Sequence, residues 1–121
     1  MTRPKVYIYD TTLRDGAQGE RVHFSVKDKL AYMQKMIEAG IPYVEAGWPG
    51  SNPKDDEFFR LAVNNMSLAD GLGKGTKLVA FGSTCKVNES PENSEILKNL
   101  LASGANTIAL FGKTWRLHVD E

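Results

Sequence analysis

Four short runs of β-branched and aromatic residues, each but the last followed by a segment with helical spacing, limit this chain to very few folds. The runs are Val6-Tyr7-Ile8-Tyr9, Pro42-Tyr43-Val44-Glu45-Ala46, Leu78-Val79-Ala80-Phe81 and Thr107-Ile108-Ala109-Leu110-Phe111. Their apolar cores are continuous, as expected of strands buried on both faces, and turn residues follow them. After the first run, Ser25 and Asp28 make an S-x-x-D start. Leu30, Met33, Met36 and Ile37 then recur at helical spacing until Gly40, which suits the left-handed position past a helix end. Phe58, Phe59, Leu61, Ala62, Val63 and Met66 predict a second helix from Lys54 to about Ala69. A third is predicted from near Ser90-Pro91-Glu92 through Ile96, Leu97, Leu100 and Leu101 to Gly104. Strands alternating with helices at this pitch imply parallel strands joined by right-handed crossovers, so the fold class is α/β.

Several function classes drop out. Gly71, Gly73 and Gly75 precede a strand instead of opening a helix, and no G-x-G-x-x-G follows the first strand, which removes the main support for a dinucleotide fold. These glycines read as a flexible loop. No P-loop, G-x-S-x-G elbow or paired-cysteine zinc pattern is present. Lys plus Arg (15) balance Asp plus Glu (15) with no run of like charge, so neither a nucleic acid nor a membrane surface is an expected partner. No apolar stretch approaches the roughly 18 residues that span a bilayer, and no signal-peptide core is visible, so a cytoplasmic setting is expected. Cys85, the single cysteine, cannot form an internal disulfide and has no identifiable base to activate it. At 121 residues, one domain is expected.

The polar segment after the first run carries the chemistry. Leu13-Arg14-Asp15-Gly16-Ala17-Gln18, then ten residues, then Lys29, fits every fixed position of L-R-D-G-x-Q-x10-K. This resembles the signature of the isopropylmalate, homocitrate and citramalate synthases. Glu45-Ala46-Gly47-Trp48-Pro49-Gly50-Ser51-Asn52-Pro53-Lys54-Asp55, Ala80-Phe81-Gly82-Ser83-Thr84 and Leu110-Phe111-Gly112-Lys113 look most like the citramalate-synthase branch. The likeness runs over nearly the whole chain.

That resemblance implies a fold and a chemistry. The fold is the N-terminal half of a (β/α)8 TIM barrel, with residues 1–121 a partial catalytic domain of four strands. The reaction is condensation of acetyl-CoA with an α-keto acid, pyruvate or less closely 2-oxoisovalerate, in branched-chain amino-acid biosynthesis. Asp15 matches the family's carboxylate metal ligand; Mg2+ or Mn2+ suits it, and the family's histidine ligands would also admit Zn2+. Arg14 would stabilise developing negative charge, Gln18 would orient substrate or groups around it, and Glu45 would lie near the metal-bound water or the keto-acid pocket. Thr84 and Lys113 follow the third and fourth strands, where barrels place their active-site loops, although polar side chains that merely face water would account for them equally well. His23 and His118 are isolated and read as structural or exposed.

The sequence also departs from the family pattern. The H-x-H metal ligands and the general base are expected beyond Glu121, so the 121-residue chain alone is expected to be inactive. A half-barrel leaves open strand edges and an apolar inner face, from which self-association, a homodimer first, is expected. Two rival readings are a related metal-dependent lyase or carboxyltransferase barrel and a non-catalytic half-barrel interaction module.

Overall fold

The alternation of strands and helices is present in the computed structural model, which describes residues 2–65, 68, 70–72 and 74–114. In chain order the elements are β1 (Tyr9–Asp10), α1 (Val26–Glu38), β2 (Tyr43–Gly47), α2 (Pro53–Asn64), β3 (Lys77–Ser83), α3 (Glu95–Ala102) and β4 (Thr107–Phe111). Short 3-10 turns at Gly16–Gln18 and Pro91–Asn93 precede α1 and α3. All pairings are parallel and the strand order is β1-β2-β3-β4. A doubly wound sheet reverses its order at a switch point, whereas a barrel adds each strand beside its predecessor. The sequential order is that of a barrel half.

Local chemistry explains the helix limits. At α1, the Ser25 hydroxyl accepts from the Asp28 amide (3.0 Å) while the Asp28 carboxylate accepts from the Ser25 amide (2.9 Å), a reciprocal capping box. The bond from the Ser25 amide first, and a bond that the Ser25 hydroxyl donates to Asp28 Oδ2 (2.8 Å) second, hold the Asp28 carboxyl below the usual carboxylate range. Gly40 takes the left-handed conformation (φ 71°) expected past the helix end. At α2, Asn52 Oδ1 accepts from the Asp55 amide (2.9 Å) and Pro53 fills the first turn, where its missing N–H costs nothing.

Strands β2 and β3 shift by one or two residues, and three other elements differ more from those predicted. The first strand is shorter and later: only Tyr9 and Asp10 pair, with Tyr43 and Val44, and Val6, Tyr7 and Ile8 stay off the ladder. Among the described residues β1 has a neighbour on one side only, so no second ladder extends it. The second helix ends at Asn64 because Asn65 turns extended (ψ 112°), and the predicted positions Met66 and Ala69 lie outside the described residues. The third helix begins later, at Glu95, because Ser94 is extended (ψ 117°) and caps it through the Leu97 amide. The glycine-rich loop is a set of turns, with the Gly71 and Leu72 amides both donating to the Leu68 carbonyl (3.0 and 2.9 Å). Gly73 lies outside the described residues.

The sheet has two unlike faces. Val44, Ala46, Leu78 and Ala80 join Met33, Phe58, Phe59, Ala62 and Leu100 in the helix-facing core. Each large side chain buried there contributes roughly 1.5–3 kcal/mol. The alternate residues face the other way, and their rings meet: Tyr43 lies 5.9 Å from Tyr9 and 6.4 Å from Tyr7, and Phe81 stacks on Phe111 at 5.2 Å. Toward the sheet edges this face opens, with Tyr9 43% and Phe111 37% exposed. Among the described residues no helix is long and apolar enough to cross a membrane.

Candidate active site

The turn after β1 is built to display two side chains. The Asp10 carboxylate accepts from the Thr12 amide (3.2 Å), the Thr12 hydroxyl (3.0 Å) and the Tyr32 hydroxyl of α1 (3.0 Å). Burial, with a smaller push from Asp10, raises the Tyr32 hydroxyl above its ordinary pKa, so it stays a donor. The Arg14 and Asp15 amides both return to the Thr11 carbonyl (3.2 and 2.7 Å), and Leu13 is fully buried as an anchor. Arg14 and Asp15 are thereby presented at the C-terminal end of the sheet, where barrel enzymes place their catalytic groups.

Arg14 is held from three sides. Its Nε donates to Glu45 Oε1, its Nη1 pairs with Asp15 Oδ1 at 2.9 Å, and its Cζ sits 3.8 Å above the centre of the Phe81 ring. A guanidinium over an aromatic face gains from the ring quadrupole, and its planar fork suits two carboxylates at once. The Glu45 side chain is only 4% exposed, and its other oxygen, Oε2, accepts from the Tyr9 hydroxyl. The carboxylate predicted to lie near bound water or the keto acid is thus engaged by protein donors on both oxygens.

Arg14 opens onto a cleft of about 670 Å³ whose lining includes Gln18, His23, Trp48, Phe81 and Phe111. Gln18, at the end of the 3-10 turn, is exposed along its wall, and His23 is exposed there too. Neither Asp15 nor Glu45 is a lining residue; both reach the cleft through Arg14. Trp48 packs edge-on against Phe81 (5.6 Å) and Phe111 (6.1 Å), which gives the cleft one aromatic wall. Thr84 and Lys113 are exposed and do not line it, Cys85 is half-buried and unpaired, and His118 lies outside the described residues.

Lys29, the last fixed position of the signature, is a structural tie. Its ammonium donates to the Ala46 carbonyl and to Asp55 Oδ1, each at 2.7 Å, with the two side chains 3% and 13% exposed. Asp55 Oδ2 accepts from the Trp48 amide (3.0 Å). One carboxylate at the start of α2 therefore fixes α1, the end of β2 and the loop beyond it. The carboxylate lies so near Gly47 that a Cβ there would come within 2.8 Å of it, so the backbone can pass only without a side chain.

The Asp15 carboxylate is 53% exposed beside the cleft, which suits one position in an oxygen-rich coordination shell. Among the described residues no three His, Cys, Asp or Glu side chains converge. Asp15 is thus the carboxylate of this cluster that would hold a divalent ion.

The HMGL-like family model matches residues 5–120. The chain belongs to the HMGL-like family. Among curated relatives, this HMGL-like chain is 44% identical over 117 residues to the (R)-citramalate synthase of Aquifex aeolicus, covering 97% of the chain and 21% of that protein. Identity to the (R)-citramalate synthase of Geobacter sulfurreducens is also 44%, over 96% of the chain and 21% of the relative. The 2-isopropylmalate synthase 1 of Caldanaerobacter subterraneus is 37% identical over 95 residues, which is 78% of the chain and 22% of that protein. The chain thus spans about a fifth of the length of these relatives.

Sequence reasoning singled out Arg14, Asp15, Gln18 and Glu45, and the structure gathers Arg14, Asp15 and Glu45 into one cluster with Gln18 on the adjoining wall. Tyr9, Trp48 and Asp55 were missed as parts of the site. Period-two alternation could have placed Tyr9 and Phe81 on one face, but nothing local announced the pairing of Lys29 with Asp55.

Proposed function

We propose that the protein to which this segment belongs condenses acetyl-CoA with an α-keto acid, pyruvate in preference to 2-oxoisovalerate. The observation that supports this most directly is Arg14, braced between Asp15 and Glu45 and facing the cleft. Higher identity to (R)-citramalate synthases than to a 2-isopropylmalate synthase favours the smaller keto acid.

In this reading the Asp15 carboxylate would hold a Mg2+ or Mn2+ ion, with Zn2+ as a further choice. When bound, such an ion supplies Lewis-acid polarisation of the keto-acid carbonyl. Arg14 supplies a fixed positive charge beside the oxygen on which negative charge develops. Because Glu45 and Phe81 already hold the guanidinium, little reorganisation is needed as that charge appears. Gln18 offers an amide donor and acceptor from the wall, and the Trp48, Phe81 and Phe111 rings restrict water on that side. The base that removes the acetyl proton is not assigned to this segment.

The full-length protein, supplied with acetyl-CoA and either keto acid, is expected to release CoA faster with pyruvate. Release with neither sinks the proposal. Arg14→Lys keeps the charge but cannot span Glu45 and Asp15, so turnover is expected to fall by roughly 100-fold while the Michaelis constants change much less. A change confined to the Michaelis constants would assign Arg14 to ground-state binding instead.

The 121-residue chain by itself is proposed to be inactive and to self-associate through its open strand edges, a two-fold dimer being the first choice. Sedimentation at micromolar concentration showing a folded monomer contradicts this.

A further inference from the structure

We propose that Tyr9 is a positioning residue for Arg14, acting through Glu45; the inference rests on the reaction proposed above. The Tyr9 hydroxyl donates to Glu45 Oε2 and the Arg14 Nε donates to Glu45 Oε1, so one buried carboxylate is gripped by a donor on each oxygen. Such a carboxylate has little freedom to turn, and the guanidinium it holds keeps its place over Phe81. The Tyr9 ring is itself fixed, stacked on Tyr43 at 5.9 Å and 28°. Desolvation first, then the Glu45 contact, raises the pKa of the phenol, so the hydroxyl remains a donor wherever the enzyme would work. Tyr9 is not among the residues that line the cleft, and its link to Arg14 runs through Glu45.

The relay predicts a particular pattern of losses. Without the Tyr9 hydroxyl, Glu45 can rotate about its remaining bond to Arg14, and the guanidinium loses its alignment while its charge stays. Turnover then suffers and substrate affinity does not. Losing an outer partner of this kind costs about 10- to 100-fold in activity.

The test uses the full-length protein and Tyr9→Phe, which keeps the ring and its stack on Tyr43. Turnover is expected to fall about 10-fold or more with Michaelis constants nearly unchanged. In a Glu45→Gln background the same substitution is expected to add little, since the carboxylate it positions is already gone. A crystal structure of Tyr9→Phe is expected to show the guanidinium displaced from the Phe81 ring. An unchanged guanidinium position overturns the proposal, as does an unchanged turnover number in an active protein, or a full independent loss on top of Glu45→Gln. If the unaltered protein condenses no keto acid, the proposed reaction falls, and the guanidinium position alone decides the role of Tyr9.

Discussion

In the full-length protein, Asp15→Ala is expected to abolish acetyl-CoA condensation by several orders of magnitude while leaving the fold in place. The two halves of that expectation come from different observations. Asp15 is half exposed and its pair with Arg14 lies near the surface, where an ion pair contributes about 0–1 kcal/mol, so little stability is lost with it. The only carboxylate this segment is proposed to give to the metal goes with it too, and carbonyl polarisation depends on that ion. Metal content per polypeptide, CoA release and the thermal midpoint separate these effects. A variant that still condenses pyruvate near the normal rate removes Asp15 from the mechanism, and one that fails to fold contradicts its placement at an exposed rim.

The largest effect on stability is expected at Lys29. Lys29→Met leaves the Asp55 carboxylate 13% exposed without its cation and the Ala46 carbonyl without its donor. Removing one partner of a buried ion pair costs about 3–5 kcal/mol, a large share of the 5–15 kcal/mol that typically holds a domain together. Adding Asp55→Asn should recover much of the loss, because the amide oxygen can still accept from the Trp48 amide and no unpaired charge remains. Urea unfolding of the three proteins measures this directly. A Lys29→Met midpoint equal to that of the unaltered protein would show that the pair contributes nothing.

How much of this was legible in the sequence depends on the range of the interaction that decides each feature. The capping box at Ser25 and the left-handed Gly40 are settled by residues within a turn of one another, and both were readable. β4 was placed on its residues because its apolar run and its ladder coincide. β1 was misplaced because an apolar run says where a strand can form, whereas pairing to Tyr43 and Val44 decides where it does. The signature brought out Arg14 and Asp15 together with Lys29, yet it gave no hint that the first two pair with each other while the third holds Asp55, 26 residues away. Tyr9 looked like part of an ordinary apolar run. Its hydroxyl acquires a purpose only when Glu45 arrives 36 residues later.

The order β1-β2-β3-β4 also bears on how the chain comes to be folded. Tyr9 pairs with Tyr43, Val44 with Leu78 and Ala80 with Ile108, so every ladder closes within a single strand–helix repeat. No strand waits for a partner from the far end of the segment, and the loops to be closed stay short, which favours quick assembly. As the polypeptide leaves the ribosome from its N-terminus, each new strand can add to an edge already formed. The brace around Arg14 can therefore be complete once β3 has emerged, well before the rest of the segment has been made.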